Sequence, residues 1–235
     1  MLKLMRLELQ RNKLTTYFTA SAIACVCLIG FIYFVAYVAQ VENEIDFQNY
    51  SNIFLFTSVV SMIVYAIMAA VMYSRFVIDE YRGKMMLLLF SYPISRKKML
   101  LAKMLLIMSF TTLAMIVSNI PPLIIFSISE TISPIVSDTL STGLILNVVK
   151  TIFILGVSLN TICLVALRIG FAKKSVPATI VLSFVLCALY GNAIIASFGN
   201  DAVILALCLL MLIIGGAIVL ELLNKVHRME FEEQT

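Results

Sequence analysis

Side chains able to do chemistry are few in this chain. His227 is the only histidine and falls in the polar tail. Cys25, Cys27, Cys163, Cys187 and Cys208 sit inside apolar runs without CxxC spacing, so they read as small buried hydrophobes rather than metal ligands or a redox pair. Asp79 and Glu80 form an acidic pair of the kind that general acid–base catalysis employs. Adjacent residues on a helix point about 100° apart, however, and Arg75, Arg82 and Lys84 close by favour ion pairing instead. No G-x-x-x-x-G-K-[ST], H-E-x-x-H or G-x-S-x-G motif occurs, so the chain has no phosphate-cradling loop, zinc helix or nucleophile elbow. No catalytic residue, metal site or cofactor is expected on it.

What the chain has instead is a patterned distribution of charge. It is 62% hydrophobic and 13% charged, against about 25% charged in ordinary soluble domains, and its mean hydropathy is +1.05. Uncharged runs exceed the roughly 20 residues that cross a bilayer. The expected fold class is an all-α integral membrane protein with six transmembrane helices, at about 16–39, 53–74, 104–128, 144–167, 176–198 and 202–220. The runs are continuously apolar and lack the alternation of a barrel. Pro121-Pro122, Gly143, Pro177 and the FGND sequence at 198–201 are read as loop ends. One six-span domain, 16–223, follows an N-terminal segment, 1–15, and precedes a tail, 224–235.

Lysine and arginine stay on the cytoplasmic side of a membrane protein. Of the 17 basic residues, all but Lys150 fall at one side of this layout: before span one, between spans two and three, between spans four and five, and in the tail. The opposite loops carry only acids, Glu42, Glu44, Asp46, Glu130, Asp138 and Asp201. Both termini are therefore expected in the cytoplasm. Lys150 either snorkels to the outer interface or faces an internal path or a partner protomer, because an intramembrane charge is costly and usually has a use. With Asn119 and Asn160 it is a candidate for a substrate path, although polar residues in spans more often serve helix packing.

Two segments on the basic side have finer structure. Leu2, Met5 and Leu9 recur on one helical face, with Lys3, Arg6, Arg11 and Lys13 free for water and headgroups, which predicts an interfacial amphipathic helix leading into span one. The second segment, 75–103, includes DEYRGKMMLLLFSYPISRKKMLLAK. Its apolar MMLLLF run is far too short to span, Tyr92-Pro93 makes a corner, and Ser95 can cap a new helix. A short amphipathic helix held between two spans suits docking to a soluble partner and passing on its movement. A plain basic loop that binds anionic lipid is the simpler alternative.

At these residues the chain resembles the permease subunits of bacterial ABC transporters of the ABC-2 type. The matching order is a basic N-terminal helix, two spans, E-x-x-G, an apolar run, P-x-S-R and a lysine entering span three: Glu80, Gly83, Pro93, Ser95, Arg96 and Lys103. Lys84 stands where threonine is frequent, and Met85 and Met86 stand near a position often acidic. The resemblance implies that 79–98 contains a cytoplasmic coupling helix seated in an ATPase subunit, with Glu80, Gly83, Leu87, Leu88, Pro93, Ser95 and Arg96 as its ATPase-coupling residues. It also implies ATP and magnesium on that partner, a second permease subunit, a bacterial cytoplasmic membrane location and no nucleic-acid partner. Small permeases of this kind are similar to those that export peptides or bacteriocins or protect against them, which suggests amphipathic peptide, antimicrobial or lipid cargo. The alternatives are a non-transporting membrane scaffold or sensor subunit, or an intramembrane enzyme.

Overall fold

Inside hydrocarbon there is no water to bond the backbone, so apolar spans must close their hydrogen bonds internally. A computed structural model describes residues 14–42, 47, 49–80, 96–132, 142–173, 175–197 and 200–232. Among the described residues there is no strand. Six helices are long and apolar enough to cross a membrane. They are α1 (Thr15–Glu42), α2 (Tyr50–Tyr73), α3 (Arg96–Ile132), α4 (Thr142–Lys173), α5 (Val176–Ala196) and α6 (Asp201–Glu232). Even the shortest, the 21 residues of α5, covers about 30 Å at the helical rise.

Several ends follow the expected chemistry. Ser175 caps α5 by accepting from the Ala178 amide at 3.5 Å, with Pro177 in the first turn. Asn200 does the same for α6, taking the Val203 amide on its side-chain oxygen at 3.4 Å. Helix α3 begins at Arg96, directly after Ser95. Pro121 and Pro122 are a correction: they lie within α3 and end nothing. Each proline removes one i→i−4 donor, from the carbonyls of Val117 and Ser118, and spanning helices tolerate that where hydroxyls and neighbouring helices compensate. Helix α6 continues to Glu232, so most of the 224–235 segment is helical. The predicted amphipathic helix at 1–15, with Lys3, Arg6, Arg11 and Lys13, lies almost wholly outside the described residues, as do Gly83, Leu87, Leu88, Pro93 and Ser95 of the coupling segment.

Helices α2 and α4 form the centre. Their most apolar stretches are 61% and 67% buried, against 28% for α1 and 17% for α6. Helix α2 packs on α1, α3, α4 and α5, whereas α6 leans mainly on α4 and α3. Lipid tails provide no hydrophobic drive for helix association, so close packing and interhelical hydrogen bonds must do it. Tyr65 shares a hydrogen bond with Ser118, Asn119 donates to Ser61 at 2.7 Å, Asn160 to Thr112 at 2.7 Å, and Ser158 pairs with Tyr190 at 2.7 Å.

The tightest approach is at Gly170 of α4. A methyl group there would meet Thr179 Oγ1 at 1.8 Å and Ile78 Cδ1 at 3.0 Å. Thr179 has little freedom to yield, because it is buried and donates to the Ser175 carbonyl at 3.2 Å. Gly170→Ala should therefore destabilise the detergent-solubilised protein by about 1–3 kcal/mol. Gly30→Ala, with nothing within 4 Å of the new methyl, should leave stability within about 0.5 kcal/mol. Thermal unfolding followed by size-exclusion chromatography compares the two, and equal losses would contradict the close approach.

Candidate functional site

The C-terminal end of α2 does not stop as an ordinary helix. It widens into a π turn, Ser74–Ile78, in which the Asp79 amide donates to the Ser74 carbonyl at 2.9 Å. Such turns are uncommon and often mark functional positions. A helix end leaves its last carbonyls without intrahelical donors and carries partial negative charge, so it attracts cations.

The cation here comes from α3. Lys103 Nζ donates to the Phe76 carbonyl at 3.0 Å and also to Glu80, with which it forms an ion pair. Lys103 is 2% exposed and Glu80 5%. Phe76, Val77, Ile78, Leu100, Ala102, Met104 and Ile107 are buried too, which leaves the pair in an apolar setting at the junction of the two helices. A buried lysine is tolerable only with a counter-charge and hydrogen bonds, and this one has both. Tyr17 of α1 packs edge-on against Phe76, with ring centroids 5.8 Å apart. The Gly170–Ile78 contact brings α4 and α5 to the same turn. One charge pair thus ties the end of α2 to the start of α3.

The remaining sequence candidates divide plainly. Arg96 is the first residue of α3. Asp79, Arg75 and Lys98 are exposed at the same end. Asn119 and Asn160 make interhelical bonds and also donate to their own helices, at the Met115 and Gly156 carbonyls. Lys150 is half-buried on the third turn of α4, roughly 15 Å along the axis from Asn160 at the ordinary helical rise. The three do not converge on one site. Sequence reasoning placed Lys103 in the motif but missed that it pairs with Glu80. An acid just beyond one span and a lysine just inside the next, both on the basic side, was the available signal.

At the opposite end a second contact joins the same helices. Tyr50 donates to Glu130 at 2.8 Å, beside an aromatic cluster in which Phe126 meets Tyr33, Tyr50 and Phe54. Tyr33 of α1 bonds Ser129 at 2.8 Å.

Residues 4–190 match the family described as ABC-2 family transporter protein. The chain belongs to that family. The match includes both Glu80 and Lys103 and ends inside α5. The chain is also 30% identical over 191 residues to the "Uncharacterized protein YcbO" of Bacillus subtilis (strain 168), a similarity that covers 81% of this chain and 84% of that protein. No solved structure matches. This ABC-2 protein is thus a multi-pass permease component of an ABC transporter, and its sequence carries no nucleotide-binding motif.

The ion pair can be separated from ordinary packing in the ABC-2 subunit. Lys103→Met strands the Glu80 carboxylate and should cost about 3–5 kcal/mol, with a comparable loss for Glu80→Gln, which strands the ammonium. The double variant Glu80→Gln/Lys103→Met removes both charges and should recover most of the loss. Denaturant titration of the four proteins in detergent measures the coupling, and additive losses would refute the pairing.

Proposed function

We propose that this ABC-2 subunit is the permease of an ATP-driven exporter, moved by a separate ATPase that docks on the segment around 79–98. The single observation that supports this reading is the Lys103–Glu80–Phe76 junction. A loop that receives a push is useful only if its ends are fixed to the elements that must move. Here Glu80 and Lys103 bracket the loop, and their attraction joins it at the base to both α2 and α3. Movement of the loop is then delivered to two spans at once, and through the Gly170 contact to α4 and α5.

Hydrolysis of ATP, with magnesium, takes place on the partner. A second permease subunit, identical or related, completes the translocation path across the plasma membrane, and both termini lie in the cytoplasm. The N-terminal basic residues Lys3, Arg6, Arg11 and Lys13 rest on the membrane surface. The cargo is an amphipathic peptide, an antimicrobial compound or a lipid. The described spans offer serine, threonine and asparagine rather than a cluster of charge, which suits a ligand that enters from the bilayer.

The test is co-expression with the ABC ATPase encoded beside the gene, followed by co-purification and transport assay in vesicles. Gly83→Pro in the docking segment should reduce ATPase association about ten-fold or more, the scale of losing one interface contact worth about 1.4 kcal/mol. The double variant Glu80→Gln/Lys103→Met should retain the ATPase and its basal hydrolysis but lose most transport. Absence of any co-purifying ATPase from the wild-type protein would sink the proposal, as would full transport by both variants.

A further inference from the structure

A cleft opens at the end of α4 against α6, away from the Glu80–Lys103 junction. Its volume is about 160 Å³ and its lining is Arg168, Ile169, Ala172, Lys173, Glu221 and Leu222. Since Gly170 of α4 touches Ile78 of the π turn, the cleft lies at the same, basic end of the bundle. Liquid water occupies about 30 Å³ per molecule, so several waters, or a phosphate with its ester oxygens, fit the space.

Its chemistry is amphiphilic. Ile169, Ala172 and Leu222 supply an apolar wall, and Arg168 and Lys173 supply two cations against the one carboxylate of Glu221. Arg168 Nη2 donates to Glu221 at 2.6 Å, but the two side chains are 46% and 52% exposed. A pair so exposed is weak and open to competition. The guanidinium has five N–H donors, so a bond to Glu221 leaves others for a phosphate, which it binds in a fork. The negative end of the α4 dipole opposes an anion here. Two cations within one cleft outweigh that, since each basic residue near a membrane surface contributes more than a helix end does. Below Glu221 on the same stripe of α6, Ile214 and Leu210 face outward, 36% and 51% exposed. That face continues the apolar wall into the hydrocarbon.

We propose that this cleft is a headgroup site for an anionic phospholipid, with the phosphodiester on Arg168 and Lys173 and an acyl chain along the outer face of α6. The recognised chemistry is a singly charged phosphate ester, matching the cleft's net single positive charge. Of its possible sources, the apolar continuation along α6 selects a lipid over a free anion. Glu221 limits affinity by holding Arg168, so the site discriminates between headgroups rather than retaining every anion. The inference rests on the membrane-embedded fold and does not require the transport reading.

Native mass spectrometry of the purified full chain in detergent tests it, with phosphatidylglycerol, phosphatidylethanolamine and inorganic phosphate as separate probes. Wild-type protein should retain phosphatidylglycerol over phosphatidylethanolamine by about five-fold or more, and each of Arg168→Gln and Lys173→Gln should cut that retention about five-fold. Glu221→Gln should raise it, an effect of opposite sign that general damage to the fold does not produce. Equal retention of both lipids by the wild type overturns the proposal. So does displacement of the lipid by millimolar inorganic phosphate, which makes the cleft a free-anion site. If the Arg168→Gln/Lys173→Gln variant keeps its lipid but loses a co-purifying ATPase, the cleft is a protein contact and the proposal fails.

Discussion

An ammonium group cannot rest among buried aliphatic side chains without a partner, and in this protein that requirement fixes the geometry of one end. Lys103 lies two turns inside α3 and is closed off by the buried residues around it. Its charge is met from the neighbouring element, by the Glu80 carboxylate and the Phe76 carbonyl. The π turn contributes by ending α2 with a carbonyl aimed across at α3 rather than along its own axis. A hydrophobic pair of the same volume would pack as well and could be more stable. It would not specify which carbonyl meets which side chain, and the ion pair does.

The same two helices are linked at further levels. Moving away from the junction, Tyr65 bonds Ser118, Ser61 bonds Asn119, and Tyr50 bonds Glu130. As the number on α2 falls the number on α3 rises in step, which is the register of an antiparallel pair. Each such bond in a membrane is worth only about 0.6 kcal/mol on average. Spread along the whole pair they oppose sliding more than separation, because a shift of one helical turn would break all of them together. The hairpin of α2 and α3 is therefore suited to move as one body. The contacts of α6, mainly with α4 and α3, and its largely outward surface suit a more peripheral element.

Much of this was legible in the sequence because hydrocarbon leaves few options. Continuous apolar runs had to be helices, and basic residues sorted the loops, so all six spans fell where expected to within a few residues at the ends of the shorter ones. The errors came where tertiary context overrides a local rule. Pro121-Pro122 reads as a break in water, yet within a bundle the helix continues through it. Asn119 and Asn160 had the polarity of a path and the positions of interhelical bonds, and composition alone does not separate those roles. The Glu80–Lys103 pair required knowing that the ends of α2 and α3 meet, which is a statement about packing. The π turn has no dependable sequence signal.

The two ends of the hairpin differ in a way that bears on mechanism. At the basic end the link is ionic and buried. At the other end Tyr50 donates to Glu130 beside stacked and edge-on aromatic rings that add broad apolar area. An ionic link in a low-dielectric setting is short-ranged in the sense that matters: moving its members apart by a few ångströms exposes two charges to an environment that cannot solvate them. Aromatic contacts yield more gradually, since their gain is spread over many atom pairs. A relative displacement of the two helices therefore meets its steepest resistance at the basic end and yields more gradually at the aromatic end.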